Sequence, residues 1–358
     1  MNSRKIKLSL VFLLIILSGA IFGVQRFVAP MDAHDNTVHS FTINPGESRD
    51  TILSNLLDEG LIRDKTITQI YVRLSNNNDF KAGTFDLTKS MSMPEIIHTL
   101  NHPASVEEMT LTIPEGLRVI DVAALMEANL GINAEEFKAL TNDQSFIDEL
   151  AQSYPVIANY DFNSDMLYKL EGLLAPDTYR FALNSTARDV IRILVGQTNR
   201  IYESHLDKFN ASHFTIKEIF TLASMVESEV HTKEQREIVA SIFANRIEQG
   251  IPLGSDVTTY YGIQLHMGVR ELTVAELHQV NAYNTRAPGF LGLPAGPVSS
   301  PSLMSIEAVL DMPTTNYLFF VNDKNGDIYP TATNAEHEAI IDRLRRDGLW
   351  YDDVRENN

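Results

Sequence analysis

From residue 41 onward, the apolar positions fall first at strand spacing and then at helix spacing. Phe41 and Ile43 alternate with polar neighbours, as an extended segment does, and Pro45-Gly46 then turns the chain. Ile52, Leu53, Leu56 and Leu57 follow on one helix face that closes near Gly60. Ile67, Ile70, Tyr71 and Leu74 repeat the i, i+3, i+4, i+7 spacing and predict a second helix. Gly83-Thr84-Phe85-Asp86-Leu87 reads as a short strand. Ser92 with Glu95 then forms a capping box for a helix bearing Ile96, Ile97 and Leu100. The order is β-α-α-β plus one helix, over about 60 residues, which suits two helices packed on a two-stranded sheet.

Residues 101–105, with Pro103, read as a hinge. Beyond it, Thr112-Ile113-Pro114-Glu115-Gly116-Leu117 leads into a helix carrying Val119, Ala123, Ala124 and Met126. This echoes the strand-turn-helix that begins at Thr42-Ile43. No longer repeat follows, so a solenoid is excluded. The rest predicts helices at about 134–152, 187–205, 215–230, 233–249, 303–311 and 334–347, with a short extended piece at 317–321. The fold class expected is α+β.

Ahead of this pattern, Arg4, Lys5 and Lys7 flank an apolar run at residues 8–24, broken only by Ser9, Ser18, Gly19 and Gly23. A cleaved signal peptide and an uncleaved anchor both fit such a segment. Apolar residues continue through Phe27 and Val28, which favours an anchor over residues 1–28 with the basic flank in the cytoplasm. Residues 29–39 then read as a polar linker and everything beyond as lying outside the cell. Composition narrows the chemistry. With 47 acidic against 29 basic residues and a net charge of −18, nucleic acid is not a partner, because phosphate binding needs a basic face. The absence of cysteine excludes disulfides, thiolate metal sites and cysteine nucleophiles.

The most informative segment is 215–230. Thr215 and Glu218 form a capping box, and at 100° per residue Ile216, Phe220, Ala223 and Val230 share one stripe with Glu227 in its middle. Glu229 falls on the opposite face. A carboxylate among apolar side chains loses hydration and holds its proton to higher pH, as a group that protonates a glycosidic oxygen must. An alternative reading pairs Glu227 with Arg236 or Arg246 on the next helix as a structural ion pair. His337-Glu338 lacks a second histidine four residues on, so no zinc site is expected, and neither serine-nucleophile nor phosphate-loop motifs occur. Two loops combine aromatic and polar residues in the way sugar recognition requires. They are Tyr283-Asn284-Thr285-Arg286 with the Gly/Pro-rich run to Pro297, and residues 171–179. Rigid surface loops would have the same composition.

At these residues the sequence resembles the YceG-like (MltG) family of endolytic murein transglycosylases. The helix that bears the family's essential glutamate resembles Leu222-Ala223-Ser224-Met225-Val226-Glu227-Ser228-Glu229, followed by Arg236, Asn245 and Arg246. The family's E-G-x-L-x-P-D-T-Y matches residues 171–179, and its D-P-T-x-x-Y-G resembles residues 256–262. Its Y-N-T matches 283–285, and its G-L-P-P-G-P-I resembles 292–298. Val257 and Ala295 replace prolines, and Asp327 stands where the family usually has a histidine.

The resemblance implies a LysM-like module at residues 40–102 and a catalytic domain at 108–352. It implies non-hydrolytic cleavage of the β-1,4 bond between N-acetylmuramic acid and N-acetylglucosamine within peptidoglycan glycan strands. Glu227 would first protonate the leaving oxygen and then take the proton of the muramoyl C6 hydroxyl as a 1,6-anhydro ring closes. No cofactor or metal is needed. Substrate contacts are expected from Glu171, Asp177, Tyr179, Asp256, Tyr261, Tyr283, Asn284 and Thr285. Cell-wall synthases are the implied protein partners, and the cell membrane, crossed once, is the implied location. A hydrolytic muramidase and a non-catalytic glycan-binding scaffold are the competing readings.

Overall fold

The computed structural model describes residues 26–44, 46–75, 79–101 and 108–350, which form two units divided between residues 107 and 108. Most of the expected anchor, Pro45 of the first turn, and most of the expected hinge lie outside the described residues. Among the described residues no helix is long and apolar enough to cross a membrane.

In the first unit, β1 (Val38–Ile43) pairs antiparallel with β2 (Gly83–Thr88), Phe41 opposite Phe85. Strand alternation turns Phe41, Ile43, Phe85 and Leu87 inward. Against them lie α1 (Arg49–Asp58), α2 (Lys65–Leu74) and α3 (Met93–Asn101), which supply Leu53, Leu56, Val72, Ile96 and Ile97 to one core. Truncating Leu53 to alanine would cost ~2–5 kcal/mol. The order matches the sequence expectation, but the buried face of α2 does not. Thr68 and Val72 point inward, whereas Ile70 and Leu74 are exposed, because the helix sits one position round from the stripe its apolar residues suggest.

In the second unit, β3 (Glu108–Ile113) pairs antiparallel with β4 (Asp177–Ala182). Residues 177–179, expected in a loop, therefore lie in a strand. Helices α4 (Val119–Leu130), α5 (Ala134–Leu140), α6 (Gln144–Ser153) and α7 (Pro155–Ala158) separate the two strands. The helix expected at 134–152 breaks in two because Asn142 and Asp143 intervene, Asp143 accepting from the Phe146 amide and starting a new helix. After β4 come α8 (Ala187–Ser204), α9 (Leu206–Ala211), α10 (Ile216–Glu229), α11 (Lys233–Glu248), α12 (Asp256–Gly262), α13 (Val274–Leu277) and α14 (Leu303–Leu310). A hairpin of β5 (Phe319–Asn322) and β6 (Ile328–Thr331), followed by α15 (Asn334–Arg346), completes the unit. α10 is its central helix, packed against α11, α12 and α14. The Thr215–Glu218 capping box is present: the Thr215 amide donates to Glu218 and the Glu218 amide to the Thr215 hydroxyl.

Candidate active site

Every residue from 219 to 226 on α10 is buried, so this helix has no solvent face along most of its length. The segment 298–302 runs beside it. The Val298 amide donates to Ser224 Oγ at 3.0 Å, and the Ser302 amide donates to Glu227 Oε2 at 2.8 Å. Ser302 also caps α14, so Glu227 lies at the positive end of that helix.

Glu227 is fully engaged. The Ser302 hydroxyl donates to its Oε2 at 2.5 Å, and Arg236 Nη2 donates to its Oε1 at 2.7 Å. Arg236 further donates through Nη1 to Ser302 Oγ at 3.0 Å and through Nε to the Val230 carbonyl at 3.3 Å. The side chains of Glu227 and Arg236 are 6% and 7% exposed. Gly116, in the left-handed region at φ +75°, lies beside the Glu227 side chain in the β3–α4 turn, where a Cβ would lie 3.9 Å from Glu227 Cγ. The expectation of apolar surroundings for Glu227 is not met. Its oxygens meet donors, and the ion pair with Arg236 is present.

Two residues on, the helix ends and the environment changes. Glu229 Oε1 accepts from Ser255 Oγ at 2.7 Å, and Oε2 meets no donor among the described residues. Burial pushes this carboxyl above its ordinary range, and the neighbouring Asp256 charge adds to the push while Arg286 opposes it. Glu229 lines a cavity of about 460 Å³ together with Arg246, Asp256, Arg286, Phe319 and Trp350. That volume is in the range of small-ligand sites, and the wall combines charges with aromatic faces. A carboxyl whose neutral form is favoured by burial, with one oxygen free, is suited to deliver a proton to a bound oxygen. The other large cavity, about 560 Å³, is lined by residues of 211–214, 241–248 and 309–314 and includes neither glutamate.

The eight residues expected to contact substrate separate into two groups. Glu171 is fully buried; it takes the Val119 amide at 3.0 Å at the start of α4 and the Tyr261 hydroxyl at 2.9 Å, and burial raises its carboxyl to about 8. The Tyr261 ring packs on Tyr283 at 4.7 Å. Asn284 donates to the Gln279 carbonyl at 2.7 Å and accepts from Thr259 Oγ1 at 2.7 Å, while Thr285 Oγ1 accepts from the Ser255 amide at 3.0 Å. Tyr179 donates to the Ala175 carbonyl at 2.6 Å. All six are buried and are held by the protein's own groups, so they form the wall behind the surface. Asp177 and Asp256 are exposed. Asp177 accepts from Gln197 at 3.0 Å away from the cavity, whereas Asp256 pairs with Arg286 inside it. Asp327 lies in the β5–β6 turn, its amide donating to Asp323 at 3.0 Å.

Glu229 falls on the face of α10 opposite Glu227, and because the helix is covered on both sides that face forms part of a cavity wall. The signal available was Glu-Ser-Glu at a helix end, followed by Ser255-Asp256 at the start of another helix.

Comparison with known proteins agrees with this architecture. The profile of the YceG-like family matches residues 41–343. The chain is 30% identical over 331 residues to the endolytic murein transglycosylase of Bacillus subtilis, covering 92% of this chain and 91% of that protein. It is 28% identical over 351 residues to the endolytic murein transglycosylase of Streptococcus pneumoniae serotype 2, covering 93% of this chain but 63% of that longer protein. A solved structure of a yceG-like protein from Listeria monocytogenes matches with a TM-score of 0.59 at 26% identity, over 85% of this chain and 99% of that one. The chain belongs to the YceG-like family.

Proposed function

We propose that this chain is an endolytic murein transglycosylase whose acid/base group is Glu229, with Glu227 as the residue that fixes the end of its helix. The relatives' activity supports the reaction. The observation that carries the assignment of the acid is the placement of Glu229: half-buried, with one oxygen free of protein donors, on the wall of a 460 Å³ cavity. Glu227, with both oxygens bound by Arg236 and Ser302, lines neither of the cavities described in this unit.

In this reading Glu229 donates its proton to the oxygen leaving the muramoyl C1. As carboxylate it then takes the proton of the C6 hydroxyl, which closes on C1 to give a 1,6-anhydro end. The chemistry needs one carboxyl, whereas hydrolysis needs a second to activate water or attack the sugar. Asp256 is the nearest candidate for a second and is tied to Arg286. Of the eight sequence-predicted contacts, Asp256 is the one assigned to touch glycan, and the six buried residues shape the loops around it. Residues 1–28 would anchor the protein in the cell membrane, and the 40–102 module, LysM-like in its β-α-α-β order, would hold glycan near cell-wall synthases.

The test is to digest sacculi and nascent glycan with the parent, Glu229→Gln and Glu227→Gln proteins and analyse the products by mass. Glu229→Gln should keep its fold and lose turnover by roughly 10²–10⁴-fold, while the parent leaves anhydro ends. Parent-like cutting by Glu229→Gln with loss in a folded Glu227→Gln would return the acid/base role to Glu227. Reducing ends from the parent would establish hydrolysis, and glycan binding without cutting in the parent would establish a scaffold.

A further inference from the structure

Among the described residues, the cavity beside Glu229 holds a cation that makes no ion pair. Arg246, in the last turn of α11, donates through Nε to the Leu318 carbonyl at 2.5 Å and through Nη1 to the carbonyls of Pro252 at 3.1 Å and Leu253 at 2.9 Å. Its guanidinium lies over the Phe319 ring at 5.0 Å. Among the described residues it forms no ion pair with a carboxylate, although its surroundings are low in water. Backbone carbonyls fix its orientation without neutralising it.

Asp256 and Arg286 pair with each other, and burial raises the Glu229 carboxyl, which favours its neutral form. His337, stacked on Phe319, is pushed toward its neutral form by burial and by the Arg246 charge. Arg246 is the cation of this cavity that no carboxylate pairs with among the described residues, in a protein whose net charge is −18. A buried cation is costly unless an anion meets it, and a guanidinium fixed by its other donors is suited to a planar carboxylate.

We propose that Arg246, with Arg286 beside it, receives a carboxylate carried by the muramoyl unit next to the bond that is cut. The proposal rests on the reading of this cavity as the glycan site. Two sources on that sugar share the chemistry: the free lactyl carboxylate of a strand without stem peptides, and the carboxylates of a stem peptide. N-acetylglucosamine has neither, so a contact of this kind sets the register of the strand. It would place the muramoyl C1 rather than a glucosaminyl C1 against Glu229.

The experiment uses the full-length parent protein and three strands of equal length: one with free lactyl carboxylates, one with those groups capped as neutral methylamides, and one bearing stem peptides. KM for a carboxylate-bearing strand should be lower than for the methylamide strand by about tenfold or more, the worth of a hydrogen bond to a charged group. Preference for the first strand identifies the lactyl group, and preference for the third identifies the stem. Arg246→Gln should erase the difference, and rising salt should shrink it in the parent. Equal KM for all three strands would overturn the proposal, a result that needs no variant to fold. Should Glu229→Gln cut normally, the acid assignment fails while the KM comparison still stands on its own.

Discussion

Glu227 and Glu229 are two residues apart on one helix end, yet they inhabit different chemistries. The first is bound by an arginine, a serine hydroxyl and a helix-capping amide; the second has one serine donor and an oxygen open to a cavity. Both are shielded from bulk water, so burial alone does not distinguish them; the number of donors does. A carboxylate with donors on both oxygens has less left to offer a substrate, whereas one held by a single hydroxyl keeps a free oxygen.

The strongest way to break this contrast is kinetic. Loss of turnover in Glu229→Gln, on the order of 10²–10⁴-fold without loss of fold, is the largest effect expected. Its sign with pH is also fixed. Because the free acid must donate first, parent activity should fall as pH rises through the raised Glu229 value, and a rate that climbs steadily with pH would contradict a donor role.

Next in size is the clamp itself. Removing Arg236 as alanine leaves the buried Glu227 carboxylate without its cation and frees the Val230 carbonyl and Ser302, so unfolding free energy should drop by ~3–5 kcal/mol. Denaturant melts would read this directly. A loss below about 1 kcal/mol would mean that the pair contributes as little as a surface salt bridge. Ser302→Ala should cost less, ~1–2 kcal/mol, through the cap of α14 and one bond to Glu227.

Much of this architecture was legible beforehand, for identifiable reasons. The capping boxes at Ser92 and Thr215 and the paired strand-turn-helix units depend on neighbours within a few residues, which sequence displays. The break at Asn142 and Asp143 and the buried face of α2 were misread because a local cap and tertiary packing override periodicity. At the site, the motifs around 171–179, 256–262 and 283–285 marked the right loops, but not which side chains face out. Asn284 and Thr285 look like sugar ligands by type and spend their groups on Gln279, Thr259 and Ser255 instead. The different surroundings of Glu227 and Glu229 depend on Ser302 and Ser255, more than 25 residues away in either case, and no wheel contains them.

Glu171 sharpens the contrast from a third side. It is wholly buried, receives an amide and a tyrosine hydroxyl, and has no direct ion pair among the described residues, with its carboxyl raised to about 8 against an ordinary 4.5. The folded protein therefore holds this proton at pH values where the unfolded chain has released it. Stability from this group is complete below pH 4.5, falls as pH rises, and is lost once pH passes about 8. Between pH 6 and pH 7 the drop should be at most ~1.4 kcal/mol. Glu171→Gln, which cannot ionise but keeps an oxygen for the Val119 amide, should flatten that part of the profile. Glu229 contributes a slope of the same sign, so the difference between the two proteins, not the parent curve alone, isolates Glu171. An unaltered slope in Glu171→Gln would mean that the Val119 amide and the Tyr261 hydroxyl compensate the ionised form, and that donor number outweighs burial at this carboxyl.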